Sequence, residues 1–216
     1  MKLGILSDIH GDLRSLDIAL KLFADHKVNQ ILCAGDTVEG GPQDGNVLVR
    51  LQENAIPCVQ GNHDENAVRH AEMFAFTDAE YKAAEACQTL DEKSLAYLRN
   101  LPLTESFTFG SVSLLLAHAT PSNNGAAIFL SSRHDVIEKK FKKDLSRMSE
   151  EILIVGHTHF PFDLRFQDKR VLNPGAVCQL SNRDSHTCAV FDLIDNHFSV
   201  LALPTGTEVD IRPLEF

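Results

Sequence analysis

Five short clusters in this chain carry side chains able to bind a divalent cation: Asp8-Ile9-His10, Gly35-Asp36, Gly61-Asn62-His63-Asp64, His118, and Gly156-His157-Thr158-His159. Their donors are carboxylate oxygens, imidazole nitrogens and one amide. That mixed hard and borderline set, with no sulfur in it, suits Mn²⁺, Fe, Mg²⁺, Ni²⁺ or Zn²⁺ and differs from a thiolate site. In extended backbone, residues two apart share a face, so Asp8 with His10 and His157 with His159 would each present two donors side by side. Gly35, Gly61 and Gly156 stand beside these donors, where a residue without Cβ lets the chain turn off a strand and approach an ion closely.

Taken singly, each cluster has an ordinary structural reading. Asp-x-His is compatible with a helix cap beside a satisfied histidine, Gly-Asp and Gly-Asn-His-Asp with turns, and His118 with the edge of a core. The conjunction carries the argument, because each cluster follows an apolar run and ligands of open α/β sheets bind at the carboxyl ends of strands. His26, His70, His134, His186 and His197 lie outside the pattern and read as surface or structural residues. Lys139-Lys140-Phe141-Lys142-Lys143 reads as a solvated helix face.

The elements that must position these clusters begin with a buried strand over residues 2–7. Leu13, Leu16, Leu20 and Phe23 then recur at helical spacing behind an Asp12 N-cap. A second strand follows at 30–34, a second helix around Val47, Leu48 and Leu51, and a third strand at 56–60. Strand–helix alternation implies a parallel sheet covered by helices. Residues 77–100 read as helical, with Thr89-Leu90-Asp91-Glu92 as a capping box and a stop before Leu101-Pro102. Further strands are expected at 105–109, 112–117, 152–155, 162–166, 170–172, 187–193 and 197–203, with a basic helix over 133–145. No repeat, linker or low-complexity tract divides the chain, so residues 1–216 are expected to form one domain.

Composition narrows the function. The formal charge of −10 argues against non-specific binding to a nucleic-acid backbone, which needs clustered Lys and Arg. It leaves phosphate substrates open, since acids that bind metal sit in a locally positive site. The five cysteines are odd in number and form no C-x-x-C pair, indicating neither a disulfide framework nor a zinc ribbon. No signal peptide or membrane span is legible, and a cytoplasmic location is expected.

The order D-x-H, G-D, G-N-H-D, H, G-H-T-H resembles the calcineurin-like metallophosphoesterase superfamily. Asn173-Pro174-Gly175-Ala176 resembles the N-P-G-S/A loop of its YfcE-like phosphodiesterase branch. The resemblance implies an α/β fold, a four-layer αββα sandwich with two central mixed β-sheets flanked by helices. It implies two divalent ions, manganese first, with iron, nickel, magnesium and zinc as alternatives. One ion would be held by Asp8, His10, Asp36 and His159, the other by Asp36, Asn62, His118 and His157, with Asp36 bridging. Ions ~3.5–4 Å apart would activate a shared water for in-line attack on phosphorus. His63 would stabilise developing charge or protonate the leaving oxygen, and Asp64 would orient its imidazole.

The chain departs from the family after the Gly-Asp pair, where many relatives read G-D-x-V-G-Y-G-P and this chain reads Gly35-Asp36-Thr37-Val38-Glu39-Gly40-Gly41-Pro42, with no Tyr and an added Glu39, and at Cys178, where relatives often have Gly. The Arg-Gly that protein phosphatases and diadenosine tetraphosphate hydrolases use for phosphate has no counterpart in Glu39-Gly40-Gly41. A phosphodiesterase of a small-molecule phosphoester is therefore the leading expectation. A phosphomonoesterase with the same site, or a metal-binding scaffold like the retromer subunit of this fold, are the alternatives. That scaffold has lost the catalytic histidine, whereas His63 is present here. Edge strands in such sandwiches would allow a homodimer.

Overall fold

In the computed structural model, which describes residues 1–74, 90–126, 139–182, 184–211 and 213–215, the first apolar run forms β1 (Lys2–Leu6). Helix α1 (Leu13–Asp25) follows, opened by Asp12, whose carboxylate accepts from the Ser15 N–H at 3.0 Å. Next come β2 (Gln30–Cys33), α2 (Asp44–Glu53), α3 (Asn62–Phe74) and α4 (Glu92–Arg99). The second half holds β3 (Thr104–Phe109), β4 (Val112–Ala117), α5 (Lys139–Arg147), β5 (Ile152–Ile154), β6 (Phe162–Phe166) and β7 (Lys169–Asn173). It closes with β8 (Thr187–Asp192), β9 (His197–Ala202), β10 (Glu208–Val209) and β11 (Leu214–Glu215).

The strands form two mixed sheets, one ordered β10-β9-β8-β1-β2 and the other β11-β6-β7-β5-β4-β3. Side-chain alternation shows how they stack. Leu3, Ile5, Leu114, Leu116, Ile152 and Ile154 meet in the core between the sheets, whereas Leu6 faces α1 and α2, and Leu115 and Leu153 face Phe141 and Leu145 of α5. Both faces of the central strands are thus covered, which is why they read as continuous apolar runs. The result is the four-layer α/β/β/α sandwich, with each fully buried Leu or Ile contributing about 1.5–3 kcal/mol relative to exposure.

A buried ion pair ties the layers where charge would otherwise be costly. Arg170 on β7 donates from Nε and Nη2 to both Asp163 oxygens on β6, at 2.9 and 2.7 Å, and its guanidinium lies 5.2 Å from the Phe191 ring centroid on β8. It also donates to the Asn196 carbonyl in the β8–β9 turn.

Several expectations change. The third strand at 56–60 is reduced to one bridge, Cys33 with Cys58, because Pro57 has no N–H to extend the ladder. A helix, α3, begins at Asn62 where the sequence suggests a turn. Gly61 is its cap: its carbonyl accepts from the Glu65 N–H, and Asp64 reaches back to the Gly61 N–H at 2.9 Å, half of a capping box. The cap of α4 is Asp91, bonded to the Ser94 N–H at 2.8 Å. Thr89, the expected helix over 77–89, and residues 133–138 lie outside the described residues. No helix among those described is long and apolar enough to cross a membrane.

Candidate metal centre

The clusters converge at the carboxyl ends of β1, β2, β4 and β5 and at the first turn of α3. They do so on unusual backbone. Asp8, His10, Asp36, His157 and His159 all have positive φ, between 48° and 66°. The extended geometry expected for Asp8/His10 and His157/His159 is therefore corrected. Each pair alternates through left-handed conformations, because the chain must turn off its strand while aiming both side chains at one point. Such conformations cost on the order of 1–3 kcal/mol each and persist where surrounding contacts fix them. Here those contacts are backbone bonds between the loops: the Asp8 N–H donates to Gly35 O, and the N–H groups of Ile9 and His10 both donate to Asp36 O.

Two donor groups lie either side of Asp36. In the first, His159 Nε2 is 3.3 Å from Asp8 Oδ1 and 3.3 Å from His10 Nε2, and His10 Nε2 is 3.8 Å from Asp36 Oδ2. In the second, His118 Nε2 is 3.1 Å from the same Asp36 oxygen, and one terminal atom of the Asn62 amide lies 3.2 Å from His118 Nε2 and 2.8 Å from His157 Nδ1. As the amide nitrogen that atom would donate to both rings; as the oxygen it stands among lone pairs.

Two observations show that the residues fit cations. Asp8 Oδ1 is buried and meets no hydrogen bond among the described residues, with the Nε2 atoms of His159 and His10 at 3.3 and 3.9 Å, whereas Oδ2 accepts from Ser7 Oγ at 2.6 Å and His157 N at 3.0 Å. An ionised oxygen so placed needs a cation beside it, the His159 ring in the ion-free chain and a metal ion once one is bound. The outer nitrogens of the rings are also pre-set. His118 Nδ1 faces Ala34 O at 2.7 Å, and His10 Nδ1 faces the carbonyls of Val38 and Glu39 at 3.2 and 3.0 Å. A ring that donates from Nδ1 presents the Nε2 lone pair to the centre.

The charges in the ion-free chain follow from this packing. Burial disfavours the Asp36 anion, yet His118 and His10 beside it, with the His63 N–H at 2.8 Å, hold its carboxyl well below the usual range. Burial works against charge on His118 too, but Asp36 pushes it up to about 9. His159 is likewise pushed up to about 9 against burial, by Asp8 and then Asp184. His157 goes down, through burial and the neighbouring His118.

Glycine is required where loops cross. A Cβ on Gly156 would run into Ser7 Oγ and Asp8 Oδ2, and one on Gly61 into the Asp36 carboxylate and N–H.

His63 and Asp64 separate in role. The His63 ring packs edge-on against His10 with centroids 4.8 Å apart, and its Nδ1 lies 2.9 Å from Glu39 Oε2. Asp64 faces away, fully buried, and accepts from the N–H groups of Asp36, Thr37 and Gly61 at 2.8–2.9 Å, from Val38 N at 3.3 Å and from Thr37 Oγ1 at 2.7 Å. The expectation that Asp64 orients the imidazole is thus corrected. The backbone of the β2 exit saturates its carboxylate, and Glu39 supplies the contact.

Other partners were not legible. His70, two turns along α3 from His63, puts Nδ1 3.1 Å from Glu39 Oε1. Asp184 holds His159 Nδ1 at 2.7 Å. Asn173 donates to Gly156 O at 2.7 Å, which gives the Asn-Pro-Gly loop its place under the last ligand pair. Cys178 is buried, and burial pushes its thiol up to about 12, so it is a small packed residue and not a reactive thiolate.

Residues 1–196 match the calcineurin-like phosphoesterase superfamily domain, and the chain belongs to that superfamily. Among curated relatives, the phosphodiesterase YfcE of Escherichia coli K12 is 28% identical over 214 residues, covering 94% of this chain and 92% of its own length. Among solved structures, a metallophosphoesterase from Sphaerobacter thermophilus aligns with a TM-score of 0.70 at 21% identity, covering 98% of this chain and 90% of that one. The hypothetical protein PH1004 from Pyrococcus horikoshii aligns with a TM-score of 0.76 at 17% identity, over 98% and 88%. These structures show the fold.

Proposed function

We propose that the chain is a phosphodiesterase acting on small phosphoesters through a two-ion centre. Asp8, His10, Asp36 and His159 would hold one ion, and Asp36, Asn62, His118 and His157 the other. The observation that carries this is the pair of donor groups flanking Asp36, with the buried Asp8 Oδ1 meeting no hydrogen bond among the described residues. When bound, two such ions polarise phosphoryl oxygens and lower the pKa of a water held between them. Asp36 is shared by the two groups and keeps them at a fixed separation. His63, on the first turn of α3 with its Nδ1 fixed on Glu39, leaves Nε2 to hand a proton to the leaving oxygen. Such an acid contributes about 10²–10⁴-fold.

A diester is favoured over a monoester by charge. Among the described residues, every ion pair of Asp8, Asp36, Glu39 and Asp184 is with a histidine, and none is with Lys or Arg. A monoanionic diester needs less positive charge beyond the ions than a dianionic monoester does.

The test is hydrolysis of bis-p-nitrophenyl phosphate and p-nitrophenyl phosphate by chelator-treated protein, with Mn²⁺, Fe²⁺, Ni²⁺, Mg²⁺ and Zn²⁺ added back singly. Metal-restored cleavage that favours the diester, with Mn²⁺ foremost, is expected. Preference for the monoester would replace the substrate reading, and no turnover with any metal would count against an enzyme.

A further inference from the structure

Within this two-ion reading, we propose that Asp184 is the positioning residue of the ion held by Asp8, His10 and His159, and that it makes this half of the centre energetically separable from the half built on Asn62, His118 and His157. The motifs do not include Asp184, which lies 25 residues beyond its partner in the connection between β7 and β8.

The three imidazoles whose outer nitrogen has a described partner are held differently. His118 rests on the Ala34 carbonyl at the end of β2 and His10 on the carbonyls of Val38 and Glu39 in the loop after it, and their side chains are 0% and 5% exposed. His159 is 28% exposed, so packing constrains its ring least of the three. Its constraint is a carboxylate, Asp184 Oδ1, 2.7 Å from Nδ1.

Asp184 is itself held. Its other oxygen accepts from the N–H groups of Leu180 and Ser181 at 2.9 and 2.6 Å, and its side chain is 5% exposed. Both oxygens are thereby oriented without the histidine, and a carboxylate on Nδ1 makes Nε2 a stronger donor than a carbonyl would. The same connection is laced to the segment carrying the other two ligands: the Cys178 N–H donates to Asp8 O at 3.1 Å, and the Gln179 N–H to Asp12 Oδ2 at 3.2 Å. Asp184 thus couples the β7–β8 connection to one ion and has no described contact with the other donor group.

The experiment is Mn²⁺ binding to the full chain after chelation, followed through the electron paramagnetic resonance signal of free Mn²⁺, for wild type, Asp184→Ala and Asp184→Asn. Wild type should take up two ions. Both variants should weaken one ion by about 10–100-fold and leave the other unchanged. Asp184→Asn keeps the size and one acceptor oxygen, so a site-selective loss in it cannot be ascribed to misfolding. Two ions bound with wild-type affinities in both variants, or an equal weakening of both ions, would overturn the role of Asp184 alone. Fewer than two ions bound by wild type would overturn the two-ion reading on which it rests.

Discussion

Replacing Asp64 by Ala separates two roles that the motif alone does not distinguish. The substitution removes a buried carboxylate that accepts five hydrogen bonds and leaves the N–H groups of Asp36, Thr37 and Gly61, each bonded at 2.8–2.9 Å, in buried surroundings. An orphaned buried donor costs about 1–3 kcal/mol. Three of them would cost roughly 3–9 kcal/mol if none relaxed. Two effects act the other way. Water entering the vacated space satisfies part of the loss, and removing the charge relieves its repulsion with Asp36, which together with burial raises the Asp64 carboxyl above the ordinary range. A loss toward the lower end, about 3–5 kcal/mol, is therefore expected, a large share of the 5–15 kcal/mol typical of a domain. At roughly 2–4 °C per kcal/mol for a chain of this size, Tm should fall by about 6–20 °C. The assay is thermal unfolding of chelated wild type and variant, which removes any contribution of metal. A variant that unfolds within about 2 °C of wild type but turns over far more slowly would refute this structural role and return Asp64 to orienting His63.

Glu39→Gln keeps an acceptor for His63 Nδ1 but removes the charge. At saturating metal, kcat should drop by about 10-fold with KM and metal content unchanged, while His63→Ala should cost about 10²–10⁴-fold. Equal losses in steady-state kinetics would put Glu39 on a par with the acid itself. Arg170→Met leaves Asp163 buried and unpaired, and should destabilise the chain by about 3–5 kcal/mol in denaturant unfolding; a loss under 1 kcal/mol would mean that the β6–β7 pair contributes little. Metal affinity should rise with pH. His118 and His159, at about 9 in the ion-free chain, carry protons at pH 7 that binding must displace, so uptake releases protons and weakens as pH falls. Calorimetric titrations in buffers of different ionisation enthalpy read that release directly, and no release at pH 7 would contradict the assignment of those rings as ligands.

What the sequence made legible is what alternation and adjacency encode. Leu114 to Ala117 and Ile152 to Ile154 are buried on both faces of their sheet, so their apolar runs announced strands, and the polar clusters after them marked the strand ends. The partners that hold the donors in place were silent, because Glu39 meets His63 and Asp184 meets His159 only through tertiary contact, across 24 and 25 residues of chain. Local propensity misled at the centre for a further reason. Left-handed backbone is uncommon for every residue but Gly, though Asp and His tolerate it better than most, and extended strand was the natural reading of the alternate spacing of these residues. The Gly-Asn-His-Asp turn signal misled similarly. Its polar residues serve the first turn of α3, where Asp64 saves the β2 exit from orphaned N–H groups while Asn62 and His63 face the donors. Five of the described non-glycine residues at positive φ are Asp and His gathered at these strand exits, and the backbone bonds between the loops hold them so that their side chains converge on one point, the arrangement that a site built for cations would need.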